Sequence, residues 1–318
     1  MGDHKSSFLV PIVMSCLLML AMFAFNALSS IAGGVFVNST GDISDLWYSS
    51  ITPSGITFAI WGLIYAWLVV FIIYVLSSLC RKGIQGRPLY MSPALLPPSM
   101  FYILAINFSL NISWLFMFDR SMESNNYLIA SVVILFLMPV TLYTCIGITC
   151  YTVNKYQVVL RKYSLIKEVW MIHFMVQNAF GIYAGWTTIA TVLNLGAVLT
   201  YVVNIEEETT ALIQLGILSI EILFWFLLDL FALDKFTRYL FTPHFVLVWA
   251  FTGSFMKNVI GDESEPHAVF ITCLLALSGF ALLTKIIAMI YRSVKRPLYQ
   301  DDVVNPTLEE GGVSVDKH

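Results

Sequence analysis

Charge is what this sequence has least of. Asp, Glu, Lys and Arg make up 12% of its 318 residues, where an ordinary globular domain carries about 25%. A fold that faces water on all sides needs more charge than that, so the shortage excludes the soluble globular class. The formal net charge is only −3, with no basic-aromatic patch outside the apolar runs, which sets nucleic acid aside as a partner. Cysteine is sparse too, at five. Cys16, Cys145 and Cys273 fall inside apolar runs and Cys80 and Cys150 at run ends, so no pair faces an oxidising side and no disulfide is expected. Catalytic motifs are missing: there is no nucleophile elbow, Walker loop or HExxH. No enzyme, no metal site and no cofactor are expected.

What the sequence does have is apolar length. Hydrophobic residues make up 58% of the chain and the mean hydropathy is +0.79. Crossing a hydrocarbon core about 30 Å thick takes about 20 mostly apolar residues. Eight stretches qualify, at 8–32, 55–79, 99–118, 127–151, 178–202, 211–233, 240–258 and 267–291. Lipid offers backbone groups no hydrogen bonds, so these are read as helices. Basic residues gather in alternate loops: Arg81, Lys82 and Arg87; Lys155, Arg161, Lys162 and Lys167; Lys235 and Arg238; Arg292, Lys295 and Arg296. The other loops hold only Arg120 and Lys257 against nine acids. Basic loops stay in the cytoplasm, so the expected fold is an all-α polytopic membrane protein of eight transmembrane helices with both termini cytoplasmic.

Signals at the edges are short. The apolar run 8–25 is longer than a signal-peptide core, so the first span is expected to be retained. Asn38-Ser39-Thr40 is a glycosylation sequon in a loop assigned to the non-cytoplasmic side, whereas the sequons at Asn107 and Asn111 lie within a span and cannot be used. Met1-Gly2 with Ser6 fits a myristoylation pattern, and Cys80 and Cys150 sit where palmitoylation is sterically open, but idle thiols and a plain N-terminus are the simpler readings. His173 and His244 lack a second ligand at i+3 or i+4 and are expected at the interface. The polar, acidic tail is expected to be disordered.

Inside the spans, polar and aromatic residues recur on helical faces. Phe58, Trp61 and Tyr65 follow i, i+3, i+7; Asn107, Asn111, Trp114 and Phe118 follow i, i+4, i+7, i+11; Tyr183, Trp186, Ala190 and Asn194 follow i, i+3, i+7, i+11. An unpaired amide in lipid costs several kcal/mol, so these three faces must meet other helices or a polar cavity. At these residues the chain resembles the translocator protein family, also called tryptophan-rich sensory proteins or peripheral benzodiazepine receptors. The matching elements are Trp61-Gly62-Leu63-Ile64-Tyr65 after Trp47-Tyr48 and Pro53; Leu110, Asn111, Trp114 and Phe118; and Trp186, Ile189, Ala190, Thr191, Leu193 and Asn194.

The resemblance covers about 8–203 and implies a five-helix bundle binding a hydrophobic small molecule such as a porphyrin, sterol or lipid. The expected ligand-binding set is Phe58, Trp61, Tyr65, Asn107, Asn111, Trp114, Tyr183, Trp186 and Asn194. Tyr201 is followed by Val-Val-Asn-Ile-Glu-Glu-Glu, without the downstream base of the sterol-recognition pattern. The expected layout is a cytoplasmic N-terminus (1–7), a five-helix bundle (8–203), three added helices (204–292) and a tail (293–318).

The added helices carry the intramembrane charges Glu221, Asp229 and Lys285. Asp229 and Lys285 lie about 18 residues from the outer ends of their helices, hence level, and an ion pair is expected. Glu221 has no basic residue at its depth and is the candidate for a second reading, a proton- or cation-coupled transporter using Glu221, Asp229 and Lys285. Expected partners are the lipid bilayer and a hydrophobic ligand, with a homo-oligomer left open. The plasma membrane or an endomembrane is expected rather than the mitochondrial outer membrane.

Overall fold

The computed structural model describes residues 4–261 and 264–299. Met1-Gly2, the acids Asp262 and Glu263 and most of the expected tail lie outside them. In chain order the helices are α1 (Ser6–Leu28), α2 (Thr40–Leu46), α3 (Ile60–Cys80), α4 (Pro98–Asp119), α5 (Asn125–Lys162), α6 (Lys167–Met171), α7 (Asn178–Tyr201), α8 (Glu207–Leu227), α9 (Asp234–Thr237), α10 (Thr242–Asn258) and α11 (Pro266–Lys295). A 3-10 turn, Gly55–Ala59, leads into α3, and π-helical segments Ile172–Gln177 and Leu228–Ala232 interrupt the long rods. The protein is an integral multi-pass membrane protein: among the described residues, seven helical stretches are long and apolar enough to cross a bilayer. The stretch expected as the span 240–258 forms α10, at 17 residues shorter than those seven. Several boundaries differ from expectation. The fourth rod, α5, runs to Lys162 rather than 151; the fifth begins at Lys167 rather than 178, because α6 and α7 continue through the π segment; and α11 runs to Lys295, into the start of the expected tail.

The centre of the bundle is α7, which packs against α3, α5, α8 and α10. Its rod is 61% buried over its most apolar part, against 22% for α11. Without a hydrophobic drive between helices in lipid, close approach depends on small residues, and α7 supplies them. A side chain at Gly181 would run into Thr242 and Leu240, and one at Gly196 into the Gln214 carboxamide. These glycines let α10 and α8 come close, and Gln214 Nε2 donates to the Val192 carbonyl at 2.8 Å. The stretch before α3 ties α10 to the first helices. Ser54 N–H donates to the Gly253 carbonyl (3.0 Å), Trp249 Nε1 to the Thr57 carbonyl (2.8 Å) and Ser254 Oγ to the Ile51 carbonyl (2.8 Å).

At the opposite end, α9 is latched to α11. Asp234 Oδ1 accepts from Arg292 at 2.8 Å, and its other oxygen accepts from Arg238. Burial pushes the Asp234 carboxyl up, but the hydrogen bonds from the two guanidinium groups outweigh it and hold the carboxyl below its ordinary value. The five cysteines are free; Cys80 is exposed, whereas Cys150 is buried against the Phe236 carbonyl.

Candidate functional site

The aromatic and amide stripes meet, but they meet each other. Trp61 stacks on Tyr65 (ring centroids 5.6 Å apart) and sets its ring edge-on to Tyr183 (5.8 Å), and Phe58 packs edge-on to Trp186 (5.5 Å). Asn26 Nδ2 donates to Asn111 Oδ1 (2.7 Å), and Asn111 Nδ2 donates to the Tyr183 hydroxyl (2.9 Å). That chain joins α1, α4 and α7. Asn107 turns to α5 instead, donating to the Met138 carbonyl (3.0 Å) and Thr141 Oγ1 (2.8 Å). Trp114 stacks on Phe118 of its own helix (5.1 Å), and Asn194 donates back to the Ala190 carbonyl (3.0 Å). So Trp61, Tyr65, Asn111 and Tyr183 form one interlocked layer and Phe58 and Trp186 a second pair between α7 and the turn before α3, while Asn107, Trp114 and Asn194 stand outside them.

Open space lies on another face of α7. A cavity of about 690 Å³ is bounded by α5, α7, α8 and α10 and closed at one end by α9. None of the nine stripe residues lines it. It exists because α5 and α8 both pack on α7 and scarcely on each other. Gly147 on α5 and Gly185 on α7 keep the walls thin, with Ile146, Ile189, Leu218 and Ile222 as apolar lining. Tyr151 and Phe224, 63% and 65% exposed, sit at its rim, so the cleft opens on the outer surface of the bundle. Polar groups are few. The Tyr143 hydroxyl and Thr188 stand in the same wall as Glu221, and the Tyr143 and Trp225 rings are 5.8 Å apart. Glu221 Oε2 and Trp225 Nε1 are both buried without a hydrogen-bond partner.

Two turns below Glu221, Asp229 sits in the π segment of the same rod and is fully engaged. Its Oδ1 accepts from Lys285 Nζ (2.7 Å) and Thr237 Oγ1 (2.5 Å), its Oδ2 pairs with His244 Nε2 (2.9 Å), and Lys285 also donates to the Thr237 carbonyl (2.9 Å). The histidines are turned into the bundle: His244 is 1% exposed and His173 2%. His244 pairs with Asp229, and His173 is held by Gln177, one turn on, and by Tyr299 from beyond α11, both at 2.7 Å. Sequence reasoning missed Tyr143, Thr188, Trp225 and Thr237, and the pairing of His244 with Asp229. Trp225 was within reach of it, since it follows Glu221 at i+4 on an otherwise apolar helix; the others come from separate elements with no shared spacing.

The family model described as TSPO-like protein matches residues 12–287. The match does not stop at 203 but runs through α8 and α10 into α11. No curated protein and no solved structure matches the chain. With the match extending over most of the chain, this multi-pass membrane protein belongs to the TSPO-like protein family.

Proposed function

We propose that the protein binds a hydrophobic small molecule that reaches it from within the bilayer, in the cavity between α5, α7, α8 and α10. The observation that carries this reading is the cavity itself. At about 690 Å³ it falls in the range of about 300–1,000 Å³ typical of small-molecule sites, and it has their composition, apolar walls with a few fixed polar groups. The interlocked layer of Trp61, Tyr65, Asn111 and Tyr183 then acts as the rigid frame behind the site, holding α1, α3 and α4 on α7, rather than as its lining. The eight-span topology with both termini cytoplasmic, a location in the plasma membrane or an endomembrane, and a binding role without catalysis belong to the same proposal.

A thermal-shift screen of the purified protein with porphyrins, sterols and lipids tests it. At least one hydrophobic compound is expected to raise the melting temperature of the wild type and not of Gly147→Phe. A side chain at Gly147 meets nothing within 4 Å, so the ring enters the cavity without straining the helix. Stabilisation of both proteins by the same compound would place its site elsewhere.

The second reading is transport coupled to a proton or cation, with Glu221 as the carrier and Asp229 and Lys285 as a gate. The unpartnered Oε2 of Glu221 is the observation in its favour. Against a moving gate stands the saturation of Asp229, which has three partners in place. Substrate-independent proton uptake by proteoliposomes, abolished in Glu221→Gln, would favour transport.

A further inference from the structure

The cavity wall contains one ionisable acid, Glu221, and no Lys, Arg or His. Its Oε2 is buried with no donor to meet it. One turn on, the Trp225 indole N–H is buried and equally unmet. A buried polar atom without a partner opposes folding, and an intramembrane acid more so. Here the second wall of the cleft supplies no base that could answer it. What the cleft does supply is π-faces: Tyr143 and Trp225 stand 5.8 Å apart beside the acid, and Tyr151 and Phe224 complete the rim. An acceptor oxygen with aromatic faces around it is the surrounding that a positively charged nitrogen prefers.

Resting on the reading that this cavity is the binding site, we propose that its ligand is a hydrophobic amine with a single positive charge. Its ammonium hydrogens meet the Glu221 carboxylate, and its apolar body lies against Ile146, Ile189, Leu218 and Ile222. Carboxylate-bearing ligands are excluded by the same geometry, because they bring a negative charge to Glu221 with no base in the wall. Glu221 lies well inside α8 (Glu207–Leu227), so a zwitterionic phospholipid would have to draw its phosphate to that depth as well. A free amine carries no such burden.

Full-length protein in phosphatidylcholine nanodiscs, titrated with 1-pyrenemethylamine, 1-pyrenemethanol and 1-pyrenecarboxylic acid, separates these outcomes, since the three share one ring system. The readout is the saturable part of tryptophan-to-pyrene energy transfer. In the wild type the amine is expected to bind about tenfold more tightly than the alcohol, as expected for one hydrogen bond to a charged group, and the acid not saturably. In Glu221→Gln the amine falls to the level of the alcohol while the alcohol is unchanged; in Gly147→Phe saturable binding of both is lost. Equal binding of amine and alcohol by the wild type overturns the amine and leaves the cavity standing. Absence of saturable binding by any probe, or binding indifferent to Gly147→Phe, overturns the cavity itself. Competition by added phosphatidylethanolamine would assign the amine to a lipid headgroup, and its absence to a free molecule. The wild-type ratio needs no variant to fold.

Discussion

Lys285 is 3% exposed and Asp229 1%, and neither charge has water to fall back on. Removing one partner from such a pair strands the other, at about 3–5 kcal/mol, whereas removing both is close to neutral when the neighbours still close up. Lys285→Met is therefore expected to lose about 3 kcal/mol of stability, and Asp229→Asn with Lys285→Met to recover most of it, because Thr237 and His244 still hydrogen-bond to the amide. Unfolding of the detergent-solubilised protein in denaturant measures both; a Lys285→Met protein as stable as the wild type would show that the pair holds nothing. The level placement of these two residues was legible in the sequence because depth in a membrane is one-dimensional, about 1.5 Å per helical residue counted from the outer end. Thr237 and His244 were not legible. They arrive from α9 and the start of α10, and the turn between them is placed by Asn178, whose Nδ2 donates to the Tyr239 carbonyl (2.7 Å) and whose Oδ1 accepts from Phe241 N–H (3.1 Å). No spacing announces that clamp.

Between elements, the contact most sensitive to volume is α10 against the 3-10 turn before α3. A Cβ on Gly253 would overlap the Thr57 side chain, and Ser54 N–H donates to the Gly253 carbonyl at the same point. Gly253→Ala is expected to destabilise by about 1–3 kcal/mol, the usual penalty of overpacking, and Thr57→Gly in the same chain to restore part of it. Thermal unfolding of the single and double variants tests this, and a single variant that melts with the wild type would mean that α10 shifts freely. The periodic stripes told which faces of α3, α4 and α7 are turned inward, and the layer of Trp61, Tyr65, Tyr183 and Asn111 is where those faces meet. Whether space remains between two buried faces is a difference of two surfaces, however, and residue identity along one helix does not contain it. The cavity follows from α5 and α8 diverging over Gly147 and Gly185, glycines that read in sequence only as small. The π segment holding Asp229 had no sequence marker either.

For the molecule as a whole, everything about sidedness turns on parity, and parity turns on α10. Its 17 residues rise about 26 Å at 1.5 Å per residue, near the lower limit for a crossing of about 30 Å of hydrocarbon. It packs along both α7 and α11, rods that are themselves long enough to cross. If α10 fails to cross, Lys235 and Arg238 before it share a side with Glu265 after it, and Arg292, Lys295 and Arg296 at the end of α11 are carried outward, against the tendency of basic loops to stay in the cytoplasm. If it crosses, every basic loop lies on one side. A cysteine placed at Ile260, which is 67% exposed just beyond α10, is therefore expected to react with a membrane-impermeant maleimide on intact cells. One placed at Val158, also 67% exposed but near the end of α5, is expected to react only after permeabilisation, as are epitope tags at both termini. The exposed native Cys80 and Cys273 are replaced by serine beforehand so that they give no signal. Labelling of Ile260→Cys and of a C-terminal tag from opposite sides fits eight crossings, and labelling of the C-terminal tag on intact cells leaves α10 on one side of the bilayer with seven.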